Sequence, residues 1–209
     1  PAVKSLRDFT DRDRISIAGA GSSVQTIVLQ MAAAKEFGDA GFNRFATLLV
    51  NLPHPEGLAA LISGKEVTGY LSSPPFQYQA LERPGVRKVF SSYDVMGGPA
   101  TFLVTWSTSQ FRNGNPRTYR AYVAAYREAV EFVNRNRREA AEIYLKASGD
   151  KDTVENIVKQ LGDTDIRITM TPENVMKYVD FMVKTGALKT RPQSWKDLFF
   201  SEIHDLPGS

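Results

Sequence analysis

A short β-branched run, RISIA (14–18), breaks at Gly19-Ala20-Gly21 and gives way to a stretch in which Val24, Ile27, Val28, Met31 and Ala32 recur at helical spacing. The alternation predicts a strand, the glycines a tight turn, Ser22 or Ser23 an N-cap, and the remainder a long helix. The same unit then returns. FATLLVN (45–51) predicts a second strand, and Pro53-His54-Pro55-Glu56 leads into GLAALIS, a short helix stopped by Gly64. A third strand is expected around Glu66 to Leu71, followed after SSPPF by a short helix from Gln77 to Leu81. Arg83-Pro84-Gly85 ends that helix, and VRKVF (86–90) predicts a further strand. Strands separated by helices of this length are joined by crossovers, which parallel neighbours require, so the fold class is α/β.

From residue 100 the pattern changes. TFLVTW (101–106) predicts one more strand, and beyond Asn113-Gly114-Asn115-Pro116 nearly everything reads as helix. Tyr119, Tyr122, Val123, Tyr126, Val130 and Val133 mark an amphipathic helix from 117 to about 134, with the 119–122–126 tyrosine stripe as core. Further helices are expected over Glu139 to Ala147, over Thr153 to Leu161, and from Thr171-Pro172-Glu173 to Gly186. In the last of these, Thr171 caps and Pro172 occupies the first turn. Ser194-Trp195 opens a final short helix. No internal repeat and no low-complexity linker interrupts the chain.

Several function classes are excluded by composition. The 26 basic and 23 acidic side chains leave a surplus of three charges spread along 209 residues, too diffuse for a nucleic-acid partner. The apolar share of 42% exceeds that of a disordered chain, and no apolar run approaches the roughly 18 residues of a membrane span. The chain has no cysteine, which removes thiol catalysis, disulfides and Cys-ligated zinc, and its two histidines, His54 and His204, make a His-rich metal site unexpected. No metal and no cofactor is expected. Pro1 stands first, with no basic or apolar leader behind it, so a processed chain or an internal piece is expected.

Ligands of open parallel sheets bind outside the carboxyl ends of the strands. The loops predicted there are Gly19–Gln25, Asn51–Glu56 and Ser72–Phe76. At the first, unpaired N–H groups, the helix dipole, close-approaching glycines and the Ser22 and Ser23 hydroxyls together suit an oxyanion. A tight turn with a serine cap accounts for the same residues without a ligand. GAGSSV begins like a dinucleotide fingerprint but has Val24 where the third glycine belongs, and the second strand ends in Asn51 rather than an acid. No Gly-Lys-Ser/Thr follows, which removes a P-loop. His54, between two prolines, reads as a solvated loop histidine, and Arg135, Arg137 and Arg138 as a solvated helix junction. Glu139 and Glu142 follow exposed helical spacing, so no acid–base couple and no catalytic residue is assigned.

The ordered set GSS turn, NLPHPEGLAALISGKEV, SPPF turn, SSYDVMGGPATFLV and RNGNPRTYRAYVAAYREAVEFVNRNRREAAEIY resembles the substrate-binding proteins of ABC importers for nitrate, sulfonates, taurine and related compounds. The resemblance runs in order from about residue 12 to about 160. It implies a periplasmic-binding-protein type II-like fold, two lobes around a cleft, with the first lobe incomplete in this sequence. Residues 1–100 would be the ligand-binding second lobe. Residues 101–209 would hold the return crossing strand and helices that pack on the first lobe. The implied ligand contacts are Gly21, Ser22, Ser23, Val24 and Gln25 at the helix start, and Ser73 and Phe76 opposite. Asp94, Gly97 and Gly98 would lie near the crossing.

The implied function is capture of a small anionic organic solute and its delivery to an inner-membrane ABC permease. The protein would be a periplasmic or lipid-anchored monomer with no chemistry of its own. Many relatives carry an acid where Thr68 stands, and a Trp-Glu-Pro-Phe turn where this chain has Ser72-Ser73-Pro74-Pro75-Phe76. The missing carboxylate favours a simple anion, or an anion with an apolar tail, over an amino-bearing solute. Two other readings share the scaffold: an enzyme such as a pyrimidine-precursor synthase, decarboxylase or desulfinase, and the sensing domain of a transcriptional regulator.

Overall fold

The computed structural model describes residues 3–209; the first two residues of the expected 1–100 lobe lie outside the described residues. The chain divides into two compact units, Pro1–Gly98 with Lys184–Ala187, and Pro99–Val183 with Leu188–Ser209. The sequence placed its boundary at 100/101 and did not separate 184–187.

The first unit is α/β. Three strands, β1 (Ile15–Ile17), β2 (Leu49–Asn51) and β3 (Gly69–Leu71), form a parallel sheet in the order β2-β1-β3. Ile15, Ser16 and Ile17 are all fully buried, as befits a central parallel strand covered on both faces. Their register is level: Ile17 pairs with both Asn51 and Leu71, so the three strands end on the same rung and their following loops leave from one edge. Helix α1 (Val24–Phe37) follows β1, α2 (His54–Ser63) follows β2, and α3 (Phe76–Leu81) follows β3. Ile15, Leu29, Ala33, Phe45 and Leu48 form the core, with Phe9, Phe37 and Phe90 packed against it. Phe9 and Phe37 each meet Phe45 edge-on, at 5.7 and 5.9 Å between ring centroids.

VRKVF (86–90) corrects the sequence reading, since it joins no sheet among the described residues. Its Phe90 packs against the core while Arg87 and Lys88 are exposed, so the segment covers the core without joining the sheet. The short α4 (Ser92–Met96), absent from the sequence reading, follows it. A capping box fixes its start: Asp94 N–H donates to Ser91 Oγ, and Ser91 N–H donates to Asp94 Oδ2 at 2.8 Å. These hydrogen bonds hold the Asp94 carboxyl below its ordinary range.

The second unit is helical. It contains α5 (Ser109–Gly114), α6 (Pro116–Arg135), α7 (Arg137–Ser148), α8 (Val154–Leu161) and most of α9 (Val175–Lys184). Pro116 sits at the first position of α6, where its missing N–H costs nothing. Ala140 and Ala141 of α7 and Ile157 of α8 are buried where these two helices pack together. Arg112 clamps the unit: its Nε donates to both Glu202 carboxylate oxygens at 2.9 and 3.2 Å, and its guanidinium lies 4.8 Å above the Phe200 ring.

Three expectations fail in this unit. TFLVTW (101–106) is not a strand. Thr101 exchanges hydrogen bonds with Glu173, but Leu103 and Trp106 are 82% and 81% exposed, and no partner strand lies beside them among the described residues. Strand propensity reports fit to a pleated, half-covered surface, and here no such surface is supplied. The tyrosine stripe of α6 is not core either. Tyr122 and Tyr126 stack on one another at 6.2 Å and are exposed, while Tyr119 is half-buried and meets Phe200 edge-on at 5.8 Å. Finally, α9 begins at Val175 rather than in Thr171-Pro172-Glu173. Asn174 takes φ 52°, a left-handed geometry that asparagine tolerates and a helix cannot continue through. Its amide instead donates to the Pro99 carbonyl at 2.6 Å. Among the described residues no helix is long and apolar enough to cross a membrane.

Candidate functional site

In the order β2-β1-β3, the chain leaves β1 toward one side of the sheet and returns on the other, which makes the β1/β3 boundary a topological switch point. The loops after β1 and β3, Gly19–Gln25 and Ser72–Phe76, leave the sheet at that boundary. They carry seven of the eight ligand residues expected from sequence, all but Gly98.

The first loop is shaped by backbone geometry. Gly19 and Gly21 adopt φ 69° and 90°, which a side chain resists, and a Cβ on Gly19 would stand 3.2 Å from that of Ser23. Ser22 and Ser23 both return their N–H groups to the Gly19 carbonyl, at 3.2 and 3.0 Å. Asn51, at the end of β2, accepts from Gly19 N–H at 2.9 Å and Ala20 N–H at 3.3 Å, tying this loop to the next strand. Ser23 is the N-cap of α1, its Oγ accepting from Thr26 N–H at 3.3 Å, and Gly21 N–H donates to Thr26 Oγ1 at 3.1 Å. The Ser23 hydroxyl therefore holds the helix start together. The N–H groups of Val24 and Gln25, the first two positions of α1, have no acceptor among the described residues. Both point where a helix dipole favours negative charge.

His54 joins the three loops, and this corrects its reading as a solvated loop residue. It opens α2, is half-buried, and its Nε2 lies 3.1 Å from Ser73 Oγ and 3.5 Å from Gln25 Nε2. Its Nδ1 lies 2.8 Å from Tyr70 Oη, and that hydroxyl also reaches the His54 carbonyl at 3.1 Å. Phe76 stacks on the ring at 5.4 Å with planes 20° apart, and Tyr70 meets it edge-on at 5.8 Å. Desolvation by this packing lowers the His54 pKa below its ordinary value. Burial raises that of Tyr70, in part offset by a hydrogen bond with Ser72.

Beneath these groups α2 touches the sheet at Gly57, where an added Cβ would fall 2.5 Å from Ser16 Oγ and 3.0 Å from the Tyr70 ring. The glycine lets the helix lie close enough for His54 to reach across β1 toward Ser73. No family model, curated protein or solved structure matches the chain.

Gly21, Ser22, Ser23, Val24, Gln25, Ser73 and Phe76 thus lie on the two loops that leave the sheet at the β1/β3 boundary. Gly98 follows the turn that closes α4, its N–H donated to the Tyr93 carbonyl at 3.0 Å. Asp94 spends its carboxylate on the α4 cap. Sequence reasoning missed Asn51, His54 and Tyr70. The signal for Tyr70 was strand parity: it lies level with Ser16 in the register, opposite in facing to Gly69 and Leu71. Among the described residues no group of three His, Asp or Glu side chains is placed to hold a metal ion.

Proposed function

We propose that this chain is the solute-binding component of an ABC importer, taking up a small anionic organic solute, sulfonate-, nitrate- or carboxylate-like, and delivering it to a membrane permease. The supporting observation is the pair of unaccepted N–H groups on Val24 and Gln25, at the start of a 14-residue helix beside the β1/β3 switch point. Amides at a helix start hold an oxyanion without a counter-charge, and Phe76 offers an apolar face for its tail. The two-lobed periplasmic-binding-protein type II plan, an extracytoplasmic location and a monomeric state belong to the same proposal, and rest on the ordered motif resemblance. A thermal-shift panel of nitrate, alkanesulfonates, aromatic sulfonates, carboxylates and pyrimidines tests it, because a ligand that binds the folded state raises the midpoint by mass action. At least one anion is expected to raise it. No response to any anion overturns the reading.

One observation favours a second reading, an enzyme on the same scaffold. Ser73 Oγ, His54 Nε2 and Nδ1, and Tyr70 Oη stand in the order of nucleophile, base and orienting group, at 3.1 and 2.8 Å. Treatment with a fluorophosphonate followed by peptide mass spectrometry separates the two readings. A binding protein leaves Ser73 unmodified, and covalent labelling of Ser73 selects the enzyme.

A further inference from the structure

The hydrogen bonds around His54 point to one arrangement of its protons. Tyr70 has one hydroxyl hydrogen, and the His54 carbonyl, 3.1 Å away, can only accept it. With that hydrogen on the carbonyl, the close contact between Tyr70 Oη and Nδ1, at 2.8 Å, takes its hydrogen from the ring, and a neutral His54 carries its proton on Nδ1. Nε2 is left as a bare acceptor, and its two neighbours, the Ser73 hydroxyl and the Gln25 amide, are both able to donate to it. Ser73 therefore gives its only hydrogen to the ring and keeps its lone pairs for whatever occupies the crevice.

We propose that His54 is a positioning residue that sets the hydrogen-bond polarity of the site: with the ring neutral, Ser73 accepts, and the site selects an anion whose body carries a hydroxyl or similar donor. The selection rests on the anion-binding reading above; the proton order does not. The donors for the anionic head are backbone amides of Val24 and Gln25, and the acceptor for the body is Ser73, so the two walls of the crevice read opposite ends of one small solute. When the ring takes a second proton, Nε2 becomes a donor to Ser73 Oγ. The serine hydrogen is then freed to point into the crevice, and the preference for a donor-bearing anion disappears. Of the groups touching the ring, Gln25 from α1, Ser73 and Phe76 after β3, and Tyr70 from β3, only Tyr70 titrates, and its burial keeps it protonated throughout this range.

Two measurements on the intact chain test this. With only two histidines, long-range proton–nitrogen NMR resolves each ring, and His54→Gln assigns the signals. The expected pattern is the Nδ1–H tautomer, a shift toward Nε2–H in Tyr70→Phe, and an upward move of the His54 pKa in Ser73→Ala, where the donor to the neutral ring is gone. An Nε2–H tautomer in the wild type, or a pKa indifferent to Ser73→Ala, overturns the proposal. Calorimetry then compares ethanesulfonate with 2-hydroxyethanesulfonate, a pair differing by one hydroxyl. At pH 8 the hydroxylated anion is expected to bind about 2- to 10-fold tighter, the value of one neutral hydrogen bond. The advantage should fall to parity in Ser73→Ala and in the wild type below the His54 pKa. Equal affinities at pH 8 refute the selection while the NMR result stands. Binding of neither anion refutes the reading on which the selection rests, and the selection with it.

Discussion

Gly57 gives the most direct measure of how closely α2 lies on the sheet. On an exposed helix, Gly→Ala stabilises by about 1 kcal/mol, because alanine loses less backbone entropy. Here the new Cβ would stand 2.5 Å from Ser16 Oγ, and 3.0 and 3.4 Å from two Tyr70 ring carbons, whereas carbon contacts settle at about 3.5–4.0 Å. Ser16 is 0% exposed on the central strand, and Tyr70 is held through its hydroxyl by His54, so neither yields freely. Overpacking of this kind costs about 1–3 kcal/mol, and the rigid neighbours place it in the upper half, so Gly57→Ala is expected to destabilise by about 1–2 kcal/mol net. Urea unfolding with an unchanged denaturant slope reads the difference as a lower midpoint. Ser16→Ala supplies the control. Among the described residues its fully buried hydroxyl has no hydrogen-bond partner, so removing it should stabilise by about 1 kcal/mol. It should also remove the closest of the new contacts, so the double variant loses less than Gly57→Ala alone. A Gly57→Ala chain as stable as the wild type, or more so, would refute the close approach of helix and sheet.

Two further expectations concern the same edge. Since His54 titrates below its ordinary value when folded, the unfolded chain binds the proton first as pH falls; its contribution is present above about pH 6.5 and is lost as pH drops through the folded value. Denaturation midpoints of the wild type and His54→Gln across pH 8 to 5 should therefore diverge in slope, and parallel curves would remove His54 from the linkage. Asp8, Asp13 and Asp94, all held below 3.8, titrate outside that window. Ser23→Ala is expected to weaken anion binding more than Ser72→Ala, because Ser23 caps the helix whose amides would meet the proposed ligand, at a parallel stability cost of about 1 kcal/mol. Equal calorimetric affinities for the two variants would contradict it.

The sheet edge was legible in the sequence because its determinants are close in the chain. Residues 14–18 could be read as a strand, Gly19 and Gly21 as a turn, and Ser22 or Ser23 as a cap, since each needs only its own neighbours to declare itself. Phe102 to Trp106 and Val86 to Phe90 have equally strong strand composition and form none, because a ladder also requires a partner of matching length at its side. The tyrosines of α6 fail for the same reason one level higher: an apolar stripe announces a surface to be covered, and only packing decides whether anything covers it. At α9 a single local fact, the left-handed Asn174, overrode the three-residue signal of Thr171, Pro172 and Glu173.

His54 shows why the loops at a sheet edge can be read from sequence while the side chain that links them is not. Flanked by prolines and following a strand, it has the local context of a solvated loop residue, and nothing within five positions argues otherwise. Its partners, Gln25, Tyr70 and Ser73, lie 29, 16 and 19 residues away and meet it only because three strands end on one rung and Gly57 lets α2 settle against Ser16. The polarity proposed for Ser73 therefore depends on the packing of a helix against a strand, two levels below the hydrogen bond itself. A substitution at Gly57 should accordingly disturb the His54 tautomer as well as stability, and the two effects should rise together.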